Sequence, residues 1–195
     1  TSAYWENWWR VYGEGLVGML EGVVFSNWKV IDKIPDEARL LGYGLDFGYS
    51  VDVSSIVEVY NYDGQRILNE ICYQTGLVNS DLAKKMNSEV IVFADSAEPK
   101  SIEEIRRTGQ VIKPVTKGAD SINFGIQVMQ SQNYLVTSQS INLLKELRSY
   151  CWDTDKKTGR QISKPVDTLN HAIDAVRYHE MESLGRRANF GKYVI

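Results

Sequence analysis

The sequence predicts an α/β domain: a central mixed β-sheet, formed by an antiparallel meander followed by β/α units, flanked by helices. Three observations carry this. Val- and Ile-rich stretches flank an Asp63-Gly64 pair, a hairpin signal because Gly tolerates positive φ. Beyond it, short apolar runs alternate with segments of helical period. The length, 195 residues, suffices for one sizeable core but not for a second full domain.

The opening stretch stands apart. Trp5, Trp8, Trp9 and Trp28, four of the five tryptophans, are interleaved there with Gly13, Gly15, Gly18 and Gly22. This texture reads as a connecting segment, residues 1–33, and the domain proper, with Pro35 near its start, is expected from 34 to 195. The start has no initiator Met, so a fragment of a longer protein is expected. It also lacks the basic and apolar regions of a signal peptide.

The elements follow in order. Leu40 to Phe47 reads as a strand, Ser54 to Tyr60 as a second, and Gln65 to Tyr73 as a third that completes the meander. Asn79 to Met86 is a short helix, and Glu89 to Ala94 a buried strand. Pro99 suits a first helical turn, Ile102 and Ile105 share a face, and Gly109 stops the helix. Gln110 to Pro114 is a short strand. The next helix carries Ile122, Ile126 and Met129 on one side, and Tyr134 to Thr137 is again a strand. Ser138 is expected to cap a helix with Ile141, Leu144 and Leu147. Tyr150 to Pro165 reads as a long hairpin or flap, its polar tip holding Lys156, Lys157 and Arg160. A final helix is expected from Asp167 to about Leu184. This order describes an RNase H-like architecture.

Composition narrows the function. Hydrophobic residues at 43% and charged residues at 24% are ordinary for a globular protein. No run of about 18 apolar residues exists, so no membrane-spanning segment or membrane partner is expected. The net charge of −3 argues against coating nucleic acid by charge alone. Cys72 and Cys151 lack zinc-site spacing and are expected as free thiols.

Three carboxylates attract attention. Asp46 ends an apolar strand, where an uncompensated buried charge is costly. Asp95 follows the strand EVIVFA, at the carboxyl edge where α/β sheets place ligand-contacting residues. With Asp167 at zero on a helical wheel, His171, Asp174 and Tyr178 fall within roughly 40° of it, opposite Leu169, Ala172, Ile173 and Val176. Ala172 and Ala175 permit close approach of other elements. Such an oxygen-rich set with one imidazole suits Mg²⁺ or Mn²⁺ rather than zinc. Two such ions about 4 Å apart can activate a water and stabilise a leaving oxygen in phosphodiester hydrolysis.

The order of segments resembles that of the large subunits of tailed-phage terminases, particularly those of siphophages of Gram-positive bacteria. The segments are Glu21–Trp28, Gly44–Tyr49, Ala94–Ser101, Lys117–Ile122 and Asn170–Tyr178. The resemblance implies an RNase H-like nuclease that cuts concatemeric double-stranded viral DNA during headful packaging. It implies Asp46, Asp95 and Asp174 as catalytic, metal-binding acids, with His171 beside the third and Asp167 at a less regular acidic position. A preceding ATPase domain, the portal protein and the small terminase subunit are the implied partners. The implied location is the host cytoplasm, docked transiently on the procapsid portal and absent from the mature virion. No GxxxxGK[ST] phosphate loop occurs in the chain, so ATP hydrolysis by that route is not expected. Lys156, Lys157 and Arg160 are expected to contact DNA phosphates.

Two other readings stay open at this point. Gly44–Ser50 also resembles the first phosphate turn of actin-like ATPases and sugar kinases, but Ala94–Pro99 has no glycine where their second turn would stand. The other is an inactive module docking a portal or a small terminase subunit.

Overall fold

The computed structural model describes residues 22–155 and 157–190. A seven-stranded sheet comprises β1 (Trp28–Ile31), β2 (Arg39–Asp46), β3 (Ser54–Tyr62), β4 (Gln65–Gln74), β5 (Val92–Ala94), β6 (Ile112–Pro114) and β7 (Tyr134–Thr137). Its order is β1-β7-β4-β3-β2-β5-β6. The meander β2–β3–β4 is antiparallel, and β5, β6, β7 and β1 join it in parallel on either side. The β3–β4 turn needs positive φ at both central residues, and Asp63 (46°) and Gly64 (77°) supply it.

Helices cover both faces. On one side α1 (Asn79–Ala83) and α2 (Pro99–Arg107) bury Leu82, Ile102 and Ile105 against Tyr43, Leu45, Ile56 and Val92. On the other, α3 (Ser121–Gln130), α4 (Ile141–Ser149) and α5 (His171–Phe190) pack on Val57, Val59, Leu68 and Val136. Side chains alternate along a strand, so Tyr43 and Leu45 face the first layer while Gly42, Gly44 and Asp46 face α5. A Cβ at Gly44 would overlap the backbone of Ala175, so the missing side chain is what lets α5 lie against β2. The close approach expected at Ala175 is present.

Several boundaries differ from the sequence reading. Val24 and Phe25 are buried, and Trp28–Ile31 pairs in parallel with β7, so this part of the expected connecting segment packs against the sheet. Trp5, Trp8, Trp9 and residues 1–21 as a whole lie outside the described residues. β5 and β6 are shorter than expected: β5 is a fully buried three-residue strand, and β6 is an edge strand with only Ile112 buried. On α3, Ile122 is 48% exposed and Val128 is buried in its place; on α4, Ile141 is 69% exposed and Leu143 is buried. Ser140, not Ser138, precedes α4, and its hydroxyl is turned to Thr137 and the Glu70 amide.

The last helix starts at His171, not Asp167, because Leu169 takes a left-handed φ of 52° that a helix cannot contain. The hairpin is present as β8 (Trp152–Thr154) paired with β9 (Gln161–Pro165). Cys72 and Cys151 are free and buried. Among the described residues no helix is long and apolar enough to cross a membrane.

Candidate metal centre

The parallel register brings the first two acids together. Leu45 pairs with Ala94, so the residues that follow them, Asp46 and Asp95, leave adjacent strands side by side at the carboxyl edge. The Asp95 amide donates to the Leu45 carbonyl at 3.3 Å, closing that edge. Because α5 crosses β2 at Gly44, its first turns deliver His171 and Asp174 to the same edge. His171 Nδ1 lies 3.0 Å from Asp46 Oδ2.

The helix stripe is therefore real from His171 through Asp174 to Tyr178, but it is not a solvent face. Tyr178 is buried, and α5 is buried on nearly every side from Ala172 to Met181. Asp167 lies before α5 rather than on it, exposed in the bend that precedes the helix.

Each acid has a compensating partner. Asp46 is 8% exposed, and burial pushes its carboxyl up to about 6. The His171 hydrogen bond opposes this, and the charges of Asp174 and Asp95 add to it. Burial likewise raises Asp174, against the pull of Arg177, whose Nε and terminal nitrogen reach its two oxygens at 3.2 and 2.9 Å. Burial also acts to raise Asp95, but the Ala97 amide, the Lys117 ammonium and the Tyr178 hydroxyl outweigh it and leave this carboxyl lowered. The Ala97 bond is 2.8 Å, the Tyr178 bond 3.0 Å, and Lys117 also sits 4.9 Å from the Tyr178 ring centroid. The Asp46 hydrogen bond raises the His171 imidazole, against burial.

Among the described residues, no three Asp, Glu, His or Cys side chains converge closely enough to hold an ion as they stand. Two of the acids are paired with cations instead, Asp95 with Lys117 and Asp174 with Arg177. The donor set nonetheless suits a hard divalent cation. It offers three carboxylates and one imidazole, and the mutual repulsion that helps hold Asp46 at about 6 is what added positive charge relieves.

Reading the sequence missed Lys117, Arg177, Tyr73 and Glu146 as parts of this centre. Lys117 lies in one of the terminase-like segments without a role attached. Glu146 had a signal: it shares the buried face of α4 with Leu143 and Leu147, where a carboxylate must have partners. In the hairpin, Asp155 orders the tip by accepting the Lys157 and Thr158 amides, and Lys157 and Arg160 are exposed. Among the described residues, neither pairs with Asp46, Asp95 or Asp174, whose ionic partners are His171, Lys117 and Arg177. Lys156 lies outside the described residues.

Residues 46–179 match the terminase RNase H-like domain family, well over half of the chain. No curated protein sequence matches. Among solved structures, the nuclease domain of the large terminase (g2p) of bacteriophage SPP1, with bound Mn, is 26% identical with a TM-score of 0.69, over 80% of this chain and 96% of that one. The nuclease domain of the P22 large terminase is 16% identical at a TM-score of 0.66, over 84% and 93%. That of thermophilic phage G20c, with bound magnesium, is 19% identical at 0.56, over 83% and 96%. Against the large terminase of thermophilic bacteriophage D6E (19% identity, TM-score 0.65), the match covers 88% of this chain but 47% of that one, about half its length. With the sheet order, the helix across Gly44 and the match from Asp46 to His179, the chain belongs to the terminase RNase H-like domain family.

Proposed function

We propose that this domain is a divalent-metal-dependent endonuclease that cuts concatemeric double-stranded viral DNA during genome packaging. The observation that carries this is the gathering of Asp46, Asp95, Asp174 and His171 at one sheet edge, with Asp46 held at about 6 by burial and crowding. Those three acids and His171 would hold Mg²⁺ or Mn²⁺, as two ions. The metals found in the SPP1 and G20c relatives support that choice. Held there, such ions would supply Lewis-acid assistance to phosphodiester hydrolysis by water.

The chain's own residues prepare this site. Tyr178 and the Ala97 amide orient the Asp95 carboxylate, and Arg177 fixes Asp174 through both of its oxygens. His171 holds Asp46 from α5. Lys117 is 31% exposed, whereas Arg177 is buried, so it is Lys117 that has access to solvent and therefore to a phosphate. Lys156, Lys157 and Arg160 on the hairpin would add contacts to the DNA backbone, which positions the duplex without reading its sequence. The segment Ala94–Pro99, which follows β5 beside Asp46, has no glycine to form a second phosphate turn, which disfavours the actin-like alternative. In the packaging machine we place this domain in the host cytoplasm beside an ATPase domain, the portal and the small subunit.

Cleavage of supercoiled plasmid tests the proposal. Nicked and linear products should form with Mn²⁺ or Mg²⁺, with little preference for sequence, and disappear with chelator. Equal cutting in excess EDTA would sink the metal mechanism.

A further inference from the structure

The start of α5 is fastened from outside the helix. The first amides of a helix have no partner within it, and here those of Ala172 and Ile173 belong to residues with no exposed surface. Asn170 occupies the position of the cap residue, yet its side chain is directed to the Tyr150 hydroxyl. Glu146, on α4 and 2% exposed, takes over: its Oε2 accepts the Ile173 amide at 2.9 Å, with the Ala172 amide also directed to the carboxylate. A negative charge at a helix N-terminus is favoured by the helix dipole as well as by the hydrogen bonds.

The other oxygen of the same carboxylate reaches the other side of the centre. Glu146 Oε1 accepts the Tyr73 hydroxyl at 2.8 Å. The Tyr73 ring, rooted in β4, meets the His171 ring edge-on, with centroids 6.3 Å apart and planes at 71°. His171 is thus bounded by Asp46 at Nδ1, by Tyr73 along its ring, and by its own backbone at the head of α5. Glu146 ties the second and third of these together.

We propose that Glu146 is a positioning residue, whose single carboxylate fastens the first amides of α5 and the Tyr73 hydroxyl and so fixes His171 against Asp46. The inference rests on the reading of Asp46, Asp95, Asp174 and His171 as a metal centre. Glu146 makes no hydrogen bond to any of the acids; its two oxygens hold the Ile173 amide and the Tyr73 hydroxyl.

The test uses Glu146→Gln and Tyr73→Phe, with four measurements on each. These are amide hydrogen exchange at Ala172 and Ile173 without metal, Mn²⁺ affinity by titration, kcat and KM on plasmid DNA, and melting temperature. In Glu146→Gln, exchange at both amides should speed up and Mn²⁺ affinity should fall roughly tenfold, as for outer partners of metal ligands. kcat should fall with it while KM for DNA holds. Tyr73→Phe should shift the same quantities less, and the double variant should fall short of the sum. A loss of melting temperature alone, with Mn²⁺ affinity and kcat of the folded protein unchanged, would reduce Glu146 to a structural residue and overturn the proposal. Should Glu146→Gln fail to fold, parental Mn²⁺ affinity and kcat in Tyr73→Phe would overturn it equally. Exchange is read without metal or DNA. It therefore judges the fastening even if the parent chain binds no Mn²⁺, an outcome that would count against the metal centre instead.

Discussion

Asp174 is the residue on which the chemistry and the stability of the centre pull in opposite directions. Replacing it by Asn keeps its size and removes the charge that would attract a cation, so cleavage should drop at least about a hundredfold. Relief of crowding among the acids would by itself make that variant more stable. Arg177, however, is 3% exposed and has both Asp174 oxygens as partners. Breaking such a buried pair leaves a charge without compensation. The expected result is a loss of stability of roughly 1–3 kcal/mol together with the loss of cutting. His171→Ala should cost less activity, since a neutral group contributes less than a carboxylate to a hard-metal site. Assaying both variants well below their melting temperatures separates the two effects, and full cutting by Asp174→Asn would remove it from the metal centre. Asp46 and Asp95 stood out in the sequence because a carboxylate at the end of an apolar strand is conspicuous, and Asp174 because it shares a helical stripe with His171 and Tyr178. Their partners did not. Lys117 lies 22 residues from Asp95, and Glu146 27 from Ile173, and only the folded register brings them together.

At the scale of elements, what was legible followed from local chemistry. The meander could be read because Asp63-Gly64 fixes both turn and register, and α2 because Pro99 opens it. β1 could not be read, since its partner β7 lies more than a hundred residues on and nothing in Trp28–Ile31 announces the pairing. The head of α5 was placed one turn early because spacing on a wheel does not reveal the left-handed Leu169. The β8–β9 hairpin was legible as an element, and its role is open to a direct measurement. Neutralising Lys156, Lys157 and Arg160 together should weaken DNA binding and flatten its salt dependence, by about 0.9 in the log–log slope for each phosphate that these side chains neutralise in the parent. Lys157 and Arg160 are exposed, so stability should stay within about 0.5 kcal/mol of the parent. Unchanged affinity and slope would leave the tip as a solvated hairpin without a role in binding.

The whole molecule bears the cost of assembling these acids, and that cost depends on pH. Asp46 is held at about 6 in the fold against an ordinary 3.8, so the folded chain binds this proton more tightly than the unfolded one. The stability it contributes is complete below about 3.8 and is lost as pH rises through about 6. Burial raises Glu146 to about 7, and His171 is raised by its bond to Asp46, so both act in the same direction. Asp95, which is lowered, acts oppositely and only at more acid pH. The difference between the parent and Asp46→Asn isolates one group. At neutral pH the ionised Asp46 costs the fold roughly 3 kcal/mol, of which the variant gives back about 1 by weakening the His171 hydrogen bond. For a domain of this size, the net gain corresponds to a melting temperature higher by roughly 4–8 °C at about pH 7.5. Near pH 4 the parent's carboxyl is mostly protonated, so the gain should vanish. Added Mn²⁺ should raise the parent's melting temperature at neutral pH and leave the variant's nearly unmoved, because ligand that binds only the folded state stabilises it. Melting curves of the two proteins that stay parallel from about pH 4 to 8 would show that Asp46 carries no such burden.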